Sequence, residues 1–168
     1  MPEVKRGVLI VAHGSPARDT PAELRRELRE LHVKRDKSET EIAREREVQH
    51  AIRHWPRTRE NDPYHAGTES LAAELAALLG DTPVVAAYNE FCTPDVEEAV
   101  AGLVARGVRR IEVLSTMVTP GGGHSEQDIP ARLAACRERF PGVEFAYRWP
   151  YDLKQVARLL ALHLQGAD

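Results

Sequence analysis

Three residues that could do chemistry together, His13, Glu90 and His124, each lie in a turn that follows an apolar run of the sequence. The three runs are residues 7–12, 84–88 and 111–115. If these runs are parallel strands of one sheet, their carboxyl ends share an edge, which is where ligands bind in open α/β sheets. Two imidazoles and a carboxylate gathered there would suit a borderline divalent metal or proton transfer.

His13 directly precedes Gly14 and Ser15, so we expect its side chain to emerge at the sheet edge with room beside it. A second interpretation is a ring that only hydrogen-bonds its own turn. A phosphohistidine nucleophile is disfavoured, because that motif has an arginine before His-Gly and Ala12 stands there.

His124 follows a run of three glycines and directly precedes Ser125, which can cap a helix. Backbone amides and the positive end of that helix are therefore expected around the ring, and they could receive anionic groups of a ligand. A flexible loop is the commoner meaning of such a run, and the lysine of a P-loop is missing.

Other candidate residues have simpler interpretations. Glu90 precedes an acidic helix start, so plain solvent exposure is its alternative. Cys92 could bind a soft metal, but it and Cys136 are better explained as small buried thiols. His50 and His54 are four residues apart and could chelate a metal on one helical face, with a solvated basic surface as the alternative.

Strands and helices alternate along the chain, which predicts an α/β fold with a four-stranded parallel sheet flanked by helices on both faces. The fourth strand is expected over residues 143–147. Helices are predicted to begin near Thr20, Thr68, Thr93, Ser125 and Asp152. Two leucine-rich stripes are expected to face the core: Leu71, Leu75 and Leu78, and Leu153, Val156, Ala157, Leu160 and Leu164.

Residues from about 30 to 65 interrupt this regular pattern and predict an inserted helical arm. Its stretch from Lys34 to Glu47 is almost wholly charged, so it cannot be core. Pro56 and the segment 61–63 are expected to stop any helix. We interpret residues 1–168 as a single domain that carries this arm.

Composition excludes several classes of protein. A length of 168 residues with 42% hydrophobic content fits one domain with a real core. A formal charge of -3 disfavours nucleic-acid binding. The apolar run near the amino terminus is too short for a membrane span or a signal peptide, and two cysteines make no disulfide framework, so a cytoplasmic protein is expected.

Three motifs together resemble the class II tetrapyrrole chelatases, and in particular the small CbiX-type sirohydrochlorin chelatases. They are Ala-His-Gly-Ser at 12–15, Asn-Glu-Phe-Cys-Thr-Pro at 89–94, and the segment 120–130, which places histidine four residues before Asp-Ile-Pro. The resemblance covers about residues 5 to 29 and 66 to 165. It implies a chelatase-like, flavodoxin-type half and a homodimer, whereas the usual short form lacks the arm.

The resemblance also implies an activity, which is insertion of Co²⁺, Fe²⁺ or Ni²⁺ into a sirohydrochlorin-like tetrapyrrole. The metal is then a substrate, and no permanently bound cofactor is expected. The matching positions make His13 and His124 the catalytic pair and place Glu90 at the metal. Carboxylates of the macrocycle are expected to meet a substrate-binding set: Ser15, Gly121, Gly122, Gly123 and Ser125.

Two alternatives remain at this point. One is a non-enzymatic carrier of metal or tetrapyrrole, with His50 and His54 as its acquisition site. The other assigns the arm to dimerisation, although its charged middle argues against a continuous coiled coil.

Overall fold

The apolar runs of the sequence form the strands of one sheet, and helices connect them. The computed structural model of the chain describes residues 4–166. The elements are β1 (Arg6–Ala12), α1 (Ala22–Val33), α2 (Glu39–Arg53), α3 (Pro63–Leu79), β2 (Val84–Tyr88), α4 (Val96–Ala105), β3 (Arg110–Ser115), a π-helical turn (His124–Asp128) that continues into α5 (Ile129–Arg139), β4 (Glu144–Tyr147) and α6 (Leu153–Gln165).

All neighbouring strands of the sheet are parallel, in the order β2-β1-β3-β4. This confirms the predicted four-stranded α/β fold, and the order matches the first four strands of flavodoxin-like sheets. The chain moves to opposite sides of β1 when it forms β2 and β3. The resulting switch point places a crevice at the carboxyl ends of β1 and β3.

Both faces of the central strand β1 are covered, which explains its continuous apolar run. On one face, Leu9 and Val11 belong to a core cluster with residues of α4 and α5. On the other face, Ile10 and Ala12 pack with Tyr88 and with Ala72 of α3. The site at the end of β1 therefore stands on a rigid support.

The predicted arm contains α2, which forms a hairpin with α1. Leu28, Val48 and Ile52 make a small core between the two helices, with Phe91 packed against it. Ser38 caps α2 in a capping box. The arm thus rests on the loop that follows β2.

Two predicted helix starts differ from those in the structure. Thr20 does not cap α1, which begins at Ala22. Helix α3 begins at Pro63 rather than near Thr68, because the Asp62 carboxylate accepts from the His65 amide at 2.9 Å and proline suits the first helical position. Residues 61–63 therefore start a helix instead of stopping one.

Two further starts also lie elsewhere. Helix α4 begins at Val96 with a capping box from Asp95, and not at the predicted Thr93. The helical turn before α5 begins at His124 itself, so the predicted cap Ser125 lies inside the turn and is buried. His124 is therefore held by helical backbone rather than by a free loop.

The two leucine stripes are not buried as predicted. On α3 the buried residues are Thr68 and Ala72, whereas Leu71 is 50% and Leu78 83% exposed. No residue of α6 is buried, and its Leu160 is 58% exposed. A periodic stripe shows which face of a helix is apolar, but not whether another element covers that face.

Among residues 4–166, no helix has the length and apolar character needed to cross a membrane.

Candidate functional site

His13 and His124 lie together at the carboxyl edge of the sheet. Their ring centroids are 4.6 Å apart, with the planes at 84°. His13 directly follows β1, and His124 comes after the loop that leaves the adjacent strand β3. Parallel pairing of these two strands brings together residues that are far apart in the sequence.

Both rings have their Nδ1 atom engaged by an oxygen. Nδ1 of His13 lies 2.7 Å from the carbonyl oxygen of Gly14, and Nδ1 of His124 lies 2.6 Å from Oδ2 of Asp128. A carbonyl and a carboxylate accept hydrogen bonds, so the neutral rings donate through Nδ1–H. The lone pair of each ring is then on Nε2, where it can bind a metal or accept a proton.

Asp128 is a residue whose role the sequence reasoning missed. Its spacing of four from His124 was visible, and a carboxylate at that distance is a known way to orient a metal-binding imidazole. The turn between them is fixed by Tyr147, whose hydroxyl donates to the Ser125 carbonyl at 2.9 Å. Burial raises the pKa of Tyr147 to about 12, so this hydroxyl stays a donor at neutral pH.

Glu90 is close to His13 through its backbone. Its amide donates to the His13 carbonyl at 2.9 Å, and the residue lines a cavity beside the histidine pair. No group of three or more His, Cys, Asp or Glu residues within the range 4–166 is placed to hold a metal ion. The structure therefore brings the two histidines together without Glu90 as a third ligand.

Gly14 is required where the loops after β1 and β2 touch. Its φ is +89°, and a Cβ at this position would lie only 2.0 Å from the Glu90 carbonyl oxygen. Any side chain here would push apart the two loops that carry His13 and Glu90.

Arg57, at the end of the arm, ties these loops together. It forms a buried ion pair with Asp62, and the two side chains are 8% and 1% exposed. It also donates to the carbonyls of Ser15, at 2.9 Å, and Phe91. Phe91 has φ +60°, which is rare for a bulky residue. A single arginine in a polar stretch gives no sequence pattern that could have revealed this role.

The glycine-rich loop is less open than predicted. The Gly121 amide donates to Oε1 of Glu126 at 2.7 Å, so one amide is already used. Gly122 and Gly123 are exposed. Oγ of the buried Ser125 has no hydrogen-bond partner within residues 4–166.

The remaining candidates are placed as follows. Cys92 and Cys136 are buried free thiols, and burial raises the pKa of both, that of Cys136 to about 11. This confirms their predicted place in the interior. His50 and His54 are exposed on and beside the end of α2, with rings stacked 4.0 Å apart at 24°, and Nδ1 of His54 lies 2.9 Å from the His50 carbonyl oxygen.

These features define an α/β protein with an imidazole pair at the ligand-binding edge of its sheet. The chain belongs to the CbiX family, whose family model matches residues 58–161. The match contains Glu90, His124 and Asp128 and begins after most of the arm. His13 lies before it.

Known proteins of this kind resemble the chain in sequence and in fold. A sirohydrochlorin cobaltochelatase from Priestia megaterium is 32% identical over 91 residues, which are 54% of this chain and 28% of that relative. The chain thus spans only about a quarter of the length of this curated relative.

Solved structures share the fold. The sirohydrochlorin chelatase SirB from Bacillus subtilis subspecies spizizenii, in complex with cobalt, gives a TM-score of 0.50 at 18% identity, covering 88% of this chain and 44% of that chain. SirB from Bacillus subtilis with Fe³⁺ gives a TM-score of 0.51 at 18% sequence identity, covering 88% of this chain and 40% of that chain. A CbiX protein from Marinobacter aquaeolei gives a TM-score of 0.54 at 15% sequence identity, covering 95% of this chain and 93% of that chain.

Proposed function

We propose that the protein is a chelatase that inserts a divalent metal into sirohydrochlorin or a closely related tetrapyrrole. The observation that carries this proposal is the His13–His124 pair, with each Nδ1 engaged and each Nε2 left for a ligand. Family membership supports it, because the curated relative from Priestia megaterium is named a sirohydrochlorin cobaltochelatase.

The chemistry needs a metal donor and a base on one face of the macrocycle. Insertion of a divalent ion replaces two pyrrole N–H protons, so the products are the metallated macrocycle and two protons. Neutral imidazole performs both tasks. His13 and His124 bind the incoming ion through Nε2 and, as the ion passes to the macrocycle, accept the released protons.

Asp128 is a positioning residue in this scheme. Its carboxylate keeps the donor tautomer of His124 and stabilises the positive charge when Nε2 takes a proton. Ser125 is buried, and the hydroxyl of the partly buried Tyr147 donates to its carbonyl, so the turn that carries His124 is held in place.

We assign Glu90 as a third ligand that joins the pair when metal is delivered. The backbone contact between Glu90 and His13 keeps this carboxylate near the site. Carboxylates of the macrocycle are proposed to meet the hydroxyl of Ser15 and the backbone amides of Gly122, Gly123 and Ser125, with the Gly121 amide available when Glu126 is displaced.

Imidazole and carboxylate ligands suit Co²⁺, Fe²⁺ and Ni²⁺, and they hold such ions loosely enough for transfer. A thiolate cage would retain the ion, and both cysteines are buried away from this role. Their free thiols also fit a reducing compartment, so we place the protein in the cytoplasm.

The test is incubation of the purified protein with sirohydrochlorin and each metal in turn, followed by absorbance. We expect insertion of at least one metal and a loss of roughly 100-fold or more in rate for His13→Ala and His124→Ala, since several kcal/mol of binding would be removed. His54→Ala is the matched control and should retain the wild-type rate. Stoichiometric binding without release of product would instead favour a carrier.

A further inference from the structure

A cavity of about 540 Å³ lies between the α1–α2 hairpin and the loops that follow β1 and β2. Its polar lining consists of four arginines, one carboxylate, two amide side chains and one imidazole: Arg25, Arg29, Arg53, Arg132, Glu90, Asn89, Gln49 and His32. The arm supplies part of this wall.

Two of the arginines are already neutralised by acidic residues. Arg53 pairs with Asp95 at 2.8 Å and with Glu98, and Arg132 pairs with Glu97 at 3.1 Å. Arg25 and Arg29 lie one helical turn apart on α1, and the structure gives neither of them an ion pair among residues 4–166. The α1 side of the cavity therefore carries positive charge that no acidic side chain of the described chain neutralises.

Asn89 provides an independent observation. It is only 5% exposed, it lines the same cavity, and neither Oδ1 nor Nδ2 has a hydrogen-bond partner within the described residues. An unpaired buried amide is costly, and a bound anionic oxygen would satisfy its N–H group.

The cavity is joined to the histidine pair by backbone contacts. The Asn89 amide donates to the Ala12 carbonyl at 2.9 Å, one residue before His13. Phe91, which also lines the cavity, has its ring centroid 6.3 Å from that of His13. A macrocycle bound over the histidines would have its rim at the mouth of the cavity.

We propose that this cavity binds a carboxylate group on the rim of the tetrapyrrole, with Arg25 and Arg29 as charged partners and the Asn89 amide as a donor. The inference rests on the proposed function. Guanidinium groups form strong, oriented hydrogen bonds with carboxylates. Glu90 repels a carboxylate on its own side, which directs the bound group towards α1. The α1–α2 hairpin, through Arg25 and Arg29 of α1, is thereby assigned to recognition of the substrate.

The first test measures binding without turnover. Uroporphyrin, a porphyrin with carboxylates around its rim, is titrated by fluorescence into the wild type, an Arg25→Gln/Arg29→Gln variant and an Arg26→Gln/Arg59→Gln control. We expect Kd to rise by about tenfold or more in the first variant and to stay within about twofold in the control. Asn89→Asp, which keeps the size and adds repulsion, should also raise Kd. Equal affinities, or no binding to the wild type, would overturn the inference.

The second test separates this inference from the proposed function. With sirohydrochlorin and Co²⁺, the Arg25→Gln/Arg29→Gln variant should have a KM about tenfold higher and a kcat within about twofold of wild type. Binding of Co²⁺ alone should be unchanged. Turnover with an unchanged KM would reject the cavity and keep the chelatase. Weaker uroporphyrin binding by the variant, without any turnover by the wild type, would reject the chelatase activity and keep the carboxylate-binding cavity.

Discussion

Asp128 lies one helical turn beyond His124, and its Oδ2 is 2.6 Å from the imidazole Nδ1. This contact fixes which nitrogen carries the proton and which faces the crevice. The carboxylate is more than half-exposed, so its contribution is to orientation and tautomer rather than to burial of charge. The orientation and tautomer of the His124 ring therefore depend on a residue that need not touch the substrate.

Replacing Asp128 by Asn should lower the rate of metal insertion by roughly 10–100-fold, because outer carboxylates of metal-binding histidines have effects of this size. The amide can present its NH₂ group to Nδ1, which would favour the opposite tautomer. The rate is measured as a function of pH by absorbance, and the profile of the variant should differ in shape from that of wild type.

The control for this change is Gln127→Ala, an exposed position in the same turn. It should retain the wild-type rate and pH profile. A wild-type profile in Asp128→Asn would contradict the positioning role.

Replacing Gly14 by Ala should destabilise the protein by roughly 1–3 kcal/mol, because the new Cβ would need a strained φ and would clash with the Glu90 carbonyl. The free energy of unfolding is measured by urea denaturation. Gly122→Ala is the matched control, since a Cβ there meets open space and its φ is not positive. Equal losses in the two variants would show that close approach at Gly14 is unimportant.

Stability should fall in alkaline solution. Burial raises the pKa of Cys136 from 9.0 to about 11 and that of Tyr147 from 10.0 to about 12. The unfolded chain loses these protons first, so the stabilisation is complete below pH 9.0 and is lost as pH rises towards 12. Urea denaturation across this range should show a decreasing free energy of unfolding.

Tyr147→Phe tests the assignment of this alkaline loss. The variant lacks the titrating hydroxyl, so its stability should depend less steeply on pH above 10.0, the ordinary pKa of tyrosine. Identical slopes for variant and wild type would remove Tyr147 from the explanation.

We expect two copies of the chain to pair through the apolar stripe of α6. Leu160 on this stripe is 58% exposed, and no residue of the helix is buried, so no other part of the described chain covers a face that is apolar by sequence. Light scattering should give the mass of a dimer, and Leu160→Glu should give a monomer.

Leu162 provides a matched control for the pairing surface. It is 66% exposed on the opposite side of α6, so Leu162→Glu introduces the same charge outside the stripe and should leave the dimer intact. A monomeric wild type would contradict the proposed pairing.

The strands and the histidine pair could be predicted because each depends on a strong, local signal. Apolar runs fixed β1 and β3, and parallel pairing of neighbouring strands then placed His13 and His124 at one edge. Helix boundaries were harder, because Pro63 reads equally as the end of one helix or the first residue of another. The prediction that α6 is buried was wrong, because its leucines specify an apolar face of the helix but not which element packs against that face.

Contacts made by single polar residues could not be predicted from the sequence. Arg57 and Asp62 are five residues apart, yet their ion pair is buried only because the arm, α3 and two loops converge there. Asn89 belongs to the motif at residues 89–94, but the missing hydrogen-bond partners of its side-chain amide are visible only when the surrounding atoms are known.

The convergence of three segments on Arg57 makes the arm and the site one mechanical unit. Its guanidinium donates hydrogen bonds to the carbonyls of Ser15, in the loop of His13, and of Phe91, in the loop of Glu90. Its backbone continues directly from the hairpin. A tilt of the hairpin on arrival of a bulky pigment would be transmitted to both loops. The rate of the proposed metal transfer would thus depend on how firmly the hairpin packs against these loops, at a distance from any atom that reacts.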